Sequence, residues 1–228
     1  MDRLNLKTIF EALDGEKYCV IKPSEIFPLY DKGSDIDIFC YSLKNISRII
    51  INKLSNHTYD QFSVKVCESP NHIYIDYMEG DDIDIRFDLY GDMPVYANLQ
   101  LRRGLFGSII ERSSNVEYEG CALRVPSKVD DLLLRYIEYN EWFSERPDKI
   151  KHIDYINNMV KDSQELRAEM LDRLHHYIAL PEVEYSNRKT SRLMRVLSNV
   201  RYAVGKIMAV YKRDGLKILI KKLVRRYR

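Results

Sequence analysis

The sequence predicts an α+β fold, in which a mixed sheet flanked by helices is followed by an all-helical C-terminal region. Strand-like runs alternate with two helical patterns over the first 90 residues, and the apolar spacing becomes helical from about Leu99. The 228 residues, 45% hydrophobic and 31% charged, are ordinary for a globular chain of one or two domains. We therefore predict a first domain over residues 1–125 and a helical region over residues 126–228.

The first domain is predicted from its apolar periodicity and its turn residues. Residues 2–13 are expected to form a short helix, because Leu4, Ile9 and Leu13 are among its apolar positions and Gly15 follows its end. Strands are predicted at 17–21 and 34–41. A second helix is predicted at 42–57, because its isoleucines fall on one face.

Three further strands follow, "FSVKVCES", "HIYIDYME" and "DIDIRFDLYG", separated by Pro70 and by "GDD". The helical region begins with "VPSKVDDLLLRYIEYNEWF", where Ser127 and Asp130 have the spacing of a capping box. More helices are predicted at 149–161 and 163–179, and "LPEVEY" (180–185) is predicted to be a linker.

The charge of the chain is unevenly distributed. Residues 186–228 hold 14 Lys and Arg against one acid, whereas residues 1–185 hold 22 basic and 33 acidic residues. The last segment, residues 215–228, "GLKILIKKLVRRYR", has one apolar and one basic helical face. It suits an anionic membrane surface, packing on the acidic body or in a homo-oligomer, or nucleic acid; we favour nucleic acid least, because no stacking platform or named motif accompanies it.

Compartment is predicted from what the sequence lacks. The N-terminus has no continuous apolar stretch of the kind found in secretory signals, and no run approaches the ~18 apolar residues of a membrane span. The four cysteines lie far apart, which favours reduced thiols. We expect a cytoplasmic protein that could act peripherally at the inner face of the membrane.

The segment "KGSDIDIF" (32–39) contains the pattern with the clearest chemistry. Residues two apart in a strand point to the same side, so Asp35 and Asp37 share a face and Ile36 and Ile38 pack behind them. Two adjacent carboxylates repel one another, and a bound cation relieves that repulsion. We therefore predict that Asp35 and Asp37 are metal ligands.

A third carboxylate is predicted on the run "DDIDIRFDLYG". Its alternate positions are Asp82, Asp84, Arg86 and Asp88, which share one face if the strand is regular. Three carboxylates hold one or two Mg²⁺ ions, and Mg²⁺ takes substrate phosphates as further ligands. Asp88 and Asp84 are the two candidates for the third ligand, Asp82 suits a turn, and Arg86 suits either neutralising the acids or binding phosphate.

The turn before the first aspartate suits phosphate binding. Gly33 allows the backbone to approach a phosphate closely, Ser34 can donate a hydrogen bond to it, and Lys32 adds a positive charge nearby. Together these residues predict metal-assisted transfer from a nucleoside triphosphate.

"KGSDIDIF", followed by "FDL" (87–89), resembles the nucleotidyltransferase superfamily related to DNA polymerase beta. "YCVIKPSE", "IRFDLYGD" and "ALRVPSKVDDLLLRYIEY" are similar to stretches of small bacterial members associated with surface-polysaccharide genes. The resemblance covers residues 5–140. It implies a nucleotidyltransferase-type sheet, triphosphate contacts at Gly33 and Ser34, and an acceptor in cell-surface glycan synthesis. It also implies that Asp88 is the third carboxylate and acts as a base toward the acceptor.

Two other functions stay open at this point. One is a toxin-like nucleotidyltransferase that modifies a tRNA end or a protein side chain, which strong binding of RNA by the basic tail would favour. The other is a non-catalytic module that binds a nucleotide or a glycan, which Mg²⁺-independent binding without turnover would favour. The nucleotide base and the acceptor are not encoded in any motif of the sequence.

Overall fold

A computed structural model of the protein describes residues 4–56, 61–97 and 99–179. The described residues divide into two compact units. Those of the first lie within Met1–Met93 and Phe106–Ser127, and those of the second lie within Pro94–Leu105 and Lys128–Arg228. The predicted division at residue 125 stays a prediction.

A five-stranded mixed sheet forms the centre of the first unit. Its strand order is β1-β2-β5-β4-β3. The central pair β2 and β5 is parallel, and all other neighbours are antiparallel. The strands are β1 (Tyr18–Ile21), β2 (Ser34–Cys40), β3 (Phe62–Ser69), β4 (His72–Glu79) and β5 (Asp82–Tyr90). The predicted α+β class and mixed sheet are therefore confirmed.

One face of this sheet forms the hydrophobic core. The helices α1 (Leu6–Glu11) and α2 (Leu43–Ser55) belong to the same core. Ile38, Phe87 and Ile75, from three adjacent strands, are fully buried there, as are Ile46 and Ile50 of α2. Each such side chain contributes roughly 1.5–3 kcal/mol through burial. Because side chains alternate along a strand, the other face carries the residues between these, and it is polar.

Helix α1 is shorter than the helix predicted over residues 2–13. The Asn5 side chain accepts a hydrogen bond from the Lys7 backbone N–H at 3.0 Å, which caps the helix and places its first turn at Leu6. Residues 12–14 continue as turns rather than helix, and Gly15 has a φ of +81°. Leu13 is nevertheless buried in the core, as its apolar character predicts.

The expectation that the chain becomes helical from about Leu99 is wrong for residues 114–125. After the short strand β6 (Gln100–Leu101) and helix α3 (Leu105–Glu111), strands β7 (Ser114–Tyr118) and β8 (Cys121–Val125) form an antiparallel hairpin. Its two turn residues, Glu119 and Gly120, both have positive φ, at 45° and 76°. Such turns match the twist of hairpin strands, and this turn therefore ends one strand and starts the next.

The described part of the second unit contains three α-helices, α4 (Lys128–Trp142), α5 (Ile150–Val160) and α6 (Gln164–Tyr177). A 3₁₀ turn (Pro147–Lys149) precedes α5, and a short strand β9 (Ile178–Ala179) pairs with β6. The helices pack through Val129, Leu132, Ile156 and Met170. The predicted helical region is confirmed over residues 128–177, with the β6–β9 pair in addition.

Two predictions fall on residues that the structure does not describe. The linker at 180–185 and the basic amphipathic segment at 215–228 both lie outside the described residues. Among the described helices, none is long and apolar enough to cross a membrane.

Candidate active site

The register of the central strands brings the predicted carboxylates together. Asp37 of β2 is directly opposite Asp88 of β5, and Asp35 is opposite Arg86. Because these residues lie on the polar face of the sheet, Asp35, Asp37 and Asp88 occupy neighbouring positions on two hydrogen-bonded strands. We call these three residues the carboxylate face.

The turn before β2 is held by backbone hydrogen bonds. Gly33 has a φ of +82°, a conformation that side chains disfavour, and its N–H donates to the Asp84 carbonyl oxygen at 2.7 Å. The Ser34 N–H donates to the Asp31 carbonyl oxygen at 3.0 Å. These bonds fix where β2 begins, and hence where Asp35 lies. The predicted triphosphate contacts of Gly33 and Ser34 stay a prediction.

The acids of the carboxylate face repel one another. Burial, followed by the negative charge of Asp88, raises the pKa of Asp35 above its ordinary value. Arg86 opposes this shift, but it is also bonded to Asp76, with Nε–Oδ1 at 2.5 Å and Nη2–Oδ2 at 2.8 Å. Its charge is thus shared with a fourth carboxylate, and the net charge of the group is negative. This geometry gives Arg86 the neutralising role.

Asp88 has a partner that the sequence analysis missed. The His72 Nε2 atom lies 2.9 Å from Asp88 Oδ1, and the two side chains are only 12% and 15% exposed. The His72 ring also stacks on Tyr90, with centroids 4.6 Å apart. The pairing of β4 with β5 explains this contact: its register places His72 opposite Tyr90 and therefore diagonal to Asp88. A sequence-based alignment of these two predicted strands as a hairpin could have identified His72.

Asp84, the second candidate for the third carboxylate, is placed differently. It is 7% exposed, and the Tyr30 hydroxyl donates a hydrogen bond to its Oδ2 atom at 2.6 Å. Its backbone oxygen accepts the Gly33 N–H. Asp84 therefore stabilises the turn before β2. Of the two candidates, Asp88 is the one that lies opposite Asp37.

Lys32 forms ion pairs with acids at the end of β4 and the start of β5. Its Nζ atom lies 2.7 Å from Glu79 Oε2 and 3.4 Å from Asp82 Oδ2. All three side chains are substantially exposed, so these ion pairs are weak and Lys32 can exchange partners. Its predicted contact with phosphate stays a prediction.

The donor set fits Mg²⁺ by chemistry. Mg²⁺ prefers carboxylate oxygens, and a cation would relieve the repulsion by Asp88 that, after burial, raises the pKa of Asp35. Within the described ranges, no group of three or more acidic, histidine or cysteine side chains is arranged as a metal site. The strand register nevertheless makes Asp35, Asp37 and Asp88 the residues that would hold the ion, and their side chains would have to move closer together to do so.

Comparisons with known proteins give structural matches alone. No protein-family model matches the sequence, and no curated protein matches it. A nucleotidyltransferase-like protein from Paracoccidioides brasiliensis matches at 12% identity and a TM-score of 0.40, over 75% of this chain and 86% of the other. A putative nucleotidyltransferase from Helicobacter pylori matches at 10% identity and a TM-score of 0.33, over 96% and 93%. Similarity this low carries no argument about chemistry.

Proposed function

We propose that this protein is a Mg²⁺-dependent nucleotidyltransferase, which moves a nucleotidyl group from a nucleoside triphosphate to an acceptor hydroxyl or phosphate. The observation that supports it best is the opposition of Asp37 and Asp88 on the parallel strands β2 and β5, with Asp35 on the same face. Burial and then the negative charge of Asp88 raise the pKa of Asp35, while Arg86 lowers it, and a perturbed carboxyl beside other carboxylates is typical of a functional site.

Each carboxylate has a role in this proposal. Asp35 and Asp37 hold the metal and thereby orient the triphosphate, and Asp88 completes the site. Bound Mg²⁺ would polarise the transferred phosphate and neutralise charge on the pyrophosphate. The acceptor oxygen forms a bond to the α-phosphorus, the bond from that phosphorus to the bridging oxygen breaks, and pyrophosphate leaves. Asp88 takes the proton when the acceptor is a hydroxyl.

The turn residues complete the substrate site. The Gly33–Ser34 turn precedes Asp35 directly, and in this proposal the backbone at Gly33 allows a phosphate to approach closely and the Ser34 hydroxyl donates to it. The N–H groups of Gly33 and Ser34 already donate to Asp84 and Asp31. By resemblance, we propose an acceptor from cell-surface glycan synthesis. A tRNA end or a protein side chain is the alternative acceptor, and the same three carboxylates would serve it.

A non-catalytic nucleotide-binding or glycan-binding module is the second candidate function. It is favoured by one observation, which is that His72 already occupies Oδ1 of Asp88 at 2.9 Å. If that bond persists when a nucleotide binds, Asp88 contributes less to a metal site. In this case nucleotide binding would be independent of Mg²⁺, and no pyrophosphate would form.

The test combines binding with turnover. Thermal unfolding is measured with ATP, CTP, GTP and UTP, each with and without Mg²⁺, and pyrophosphate release is followed with a hydroxyl-rich acceptor mixture from a cell lysate. The variants are Asp35→Asn/Asp37→Asn and, as a control of equal charge change, Asp14→Asn/Asp81→Asn, whose residues are exposed.

We expect one triphosphate to raise the melting temperature only with Mg²⁺, in the wild type and the control but not in Asp35→Asn/Asp37→Asn. Pyrophosphate release that follows the same pattern supports the transferase. A shift that is independent of Mg²⁺ and equal in all three proteins, without pyrophosphate, supports the binding module. The absence of any shift with every triphosphate would contradict both.

A further inference from the structure

We propose that His72 is a positioning residue for the carboxylate face: its Nε2–H donates to Asp88 Oδ1 and holds the other oxygen toward Asp35 and Asp37. This inference rests on the proposed function, because it assigns a partner to the third carboxylate of that site. It concerns the orientation of Asp88, not contact between His72 and a substrate.

The bond between the two side chains has the geometry of a fixed contact. The Nε2–Oδ1 distance is 2.9 Å, and both side chains are largely removed from solvent. The partners come from adjacent antiparallel strands, β4 and β5, whose ladder runs without interruption from His72 to Tyr77. The backbone therefore holds the imidazole and the carboxylate in register.

The orientation of the imidazole ring is itself determined by packing. The ring stacks on Tyr90, with planes 26° apart, and contacts the Tyr74 ring at a centroid distance of 6.0 Å. The His72 backbone oxygen also accepts a hydrogen bond from the Ser69 hydroxyl at 2.9 Å, which anchors the start of β4. With its ring plane fixed in this way, His72 presents Nε2 to Asp88 along one direction.

The position of Asp88 explains why its orientation matters. Asp88 lies opposite Asp37 on the neighbouring strand, and carboxylates at paired positions repel one another. An Asp88 side chain with free rotation would turn away from this repulsion. Hydrogen bonds from outer residues to metal-binding groups generally change metal affinity by about 10–100-fold. A donor on Oδ1 thus keeps Asp88 in place against the charge of its neighbours.

Packing and hydrogen bonding at His72 can be separated by substitution. His72→Phe keeps an aromatic ring to stack on Tyr90 but removes the donor. His72→Gln loses the ring but places an amide N–H near the position of Nε2. If His72 serves only packing, His72→Phe should preserve metal affinity better than His72→Gln. If His72 positions Asp88, His72→Gln should preserve metal affinity better than His72→Phe.

The test measures binding of Mn²⁺, used alone as a probe for Mg²⁺, by electron paramagnetic resonance of the free ion. We expect His72→Phe to weaken binding by about 10-fold or more and His72→Gln to stay within about 3-fold of the wild type. Thermal unfolding in EDTA shows whether each variant is folded. If His72→Phe does not fold, His72→Asn replaces it, because its shorter amide does not reach Oδ1.

The outcomes separate this inference from the proposed function. Equal Mn²⁺ affinity in the wild type and His72→Phe, with loss in Asp35→Asn/Asp37→Asn, overturns the role of His72 and leaves the metal site standing. Better binding by His72→Phe than by His72→Gln also overturns it. Mn²⁺ binding that is absent in the wild type, or unchanged in Asp35→Asn/Asp37→Asn, overturns the metal site and the inference together.

Discussion

Acidic residues have opposite surroundings in the two units of this protein. In the second unit, Asp130 is fully buried and forms a salt bridge with Arg173, and Glu138 forms one with Lys149. In the first unit, the carboxylate face gathers acids on adjacent strands. The neighbouring cation, Arg86, is bonded to Asp76, which is itself acidic.

The difference shows how charge balance separates structural acids from candidate functional ones. A buried acid that has its own cation is neutral as a pair, and its removal leaves the cation without compensation. Acids that repel one another at a site cost stability unless something binds there. The following predictions test this distinction, in order of decreasing expected effect on the free energy of unfolding without metal.

Loss of the buried acid in the second unit has the largest expected effect. Asp130→Ala leaves the Arg173 guanidinium buried without its carboxylate, and we expect a loss of about 3–5 kcal/mol in urea unfolding. The control is Asp154→Ala, at an exposed position on α5. Asp130→Leu combined with Arg173→Met should recover most of the loss. A cost under about 1 kcal/mol for Asp130→Ala would contradict a structural role for the pair.

Loss of the Tyr30–Asp84 hydrogen bond has the second-largest expected effect on the free energy of unfolding. Tyr30→Phe removes the donor to a carboxylate that is 7% exposed, and we expect a loss of about 1–3 kcal/mol. Tyr155→Phe is the matched control, since Tyr155 is 38% exposed. Equal unfolding curves for Tyr30→Phe and Tyr155→Phe would show that Asp84 does not depend on this bond.

Substitution of Gly33 has a smaller expected effect on stability. Gly33→Ala places a side chain at a φ of +82°, and we expect a cost of about 1 kcal/mol. Gly33→Asn should cost less, because Asn tolerates this conformation better. The unfolding free energies of the two variants provide the measurement, and the reverse order would show that size rather than backbone strain decides.

Substitution in the carboxylate face is expected to have the opposite sign. Asp35→Asn removes a charge that partial burial and Asp88 disfavour, and it should raise metal-free stability by less than about 0.5 kcal/mol because much of the side chain still meets solvent. The folded protein holds the Asp35 proton more tightly than the unfolded chain does. Wild-type stability should therefore fall relative to Asp35→Asn as the pH rises above 3.8, the ordinary pKa, and through the raised value. A difference that is constant with pH would contradict this.

Local patterns were sufficient to predict much of the fold and the location of the candidate site. Alternation in "SDIDIF" and "DIDIRFDL" predicted two strands with acids on one face, and the register of β2 and β5 brings those acids together. The apolar spacing likewise predicted α5 and α6 to within two residues of their observed ends.

The features that could not be predicted from the sequence depend on contacts between distant segments. The acids Asp84 and Asp88 have the same spacing pattern, and contacts with distant segments separate them: Tyr30, 54 residues away, bonds Asp84, whereas Asp88 lies opposite Asp37. His72 is diagonal to Asp88 because of the strand register, and Asp130 pairs with Arg173 on another helix. The hairpin of β7 and β8 was missed because its turn depends on positive φ at Glu119, which is not glycine.

The most direct test of the central claim is the melting temperature of wild type and Asp35→Asn/Asp37→Asn, each in EDTA and in Mg²⁺ with the triphosphate that the wild type binds. If the carboxylate face is built for a cation, the variant melts at or above the wild-type temperature in EDTA and below it with Mg²⁺ and nucleotide. A variant that melts well below the wild type in EDTA and responds equally to Mg²⁺ and nucleotide would show that these acids support the fold and bind no metal.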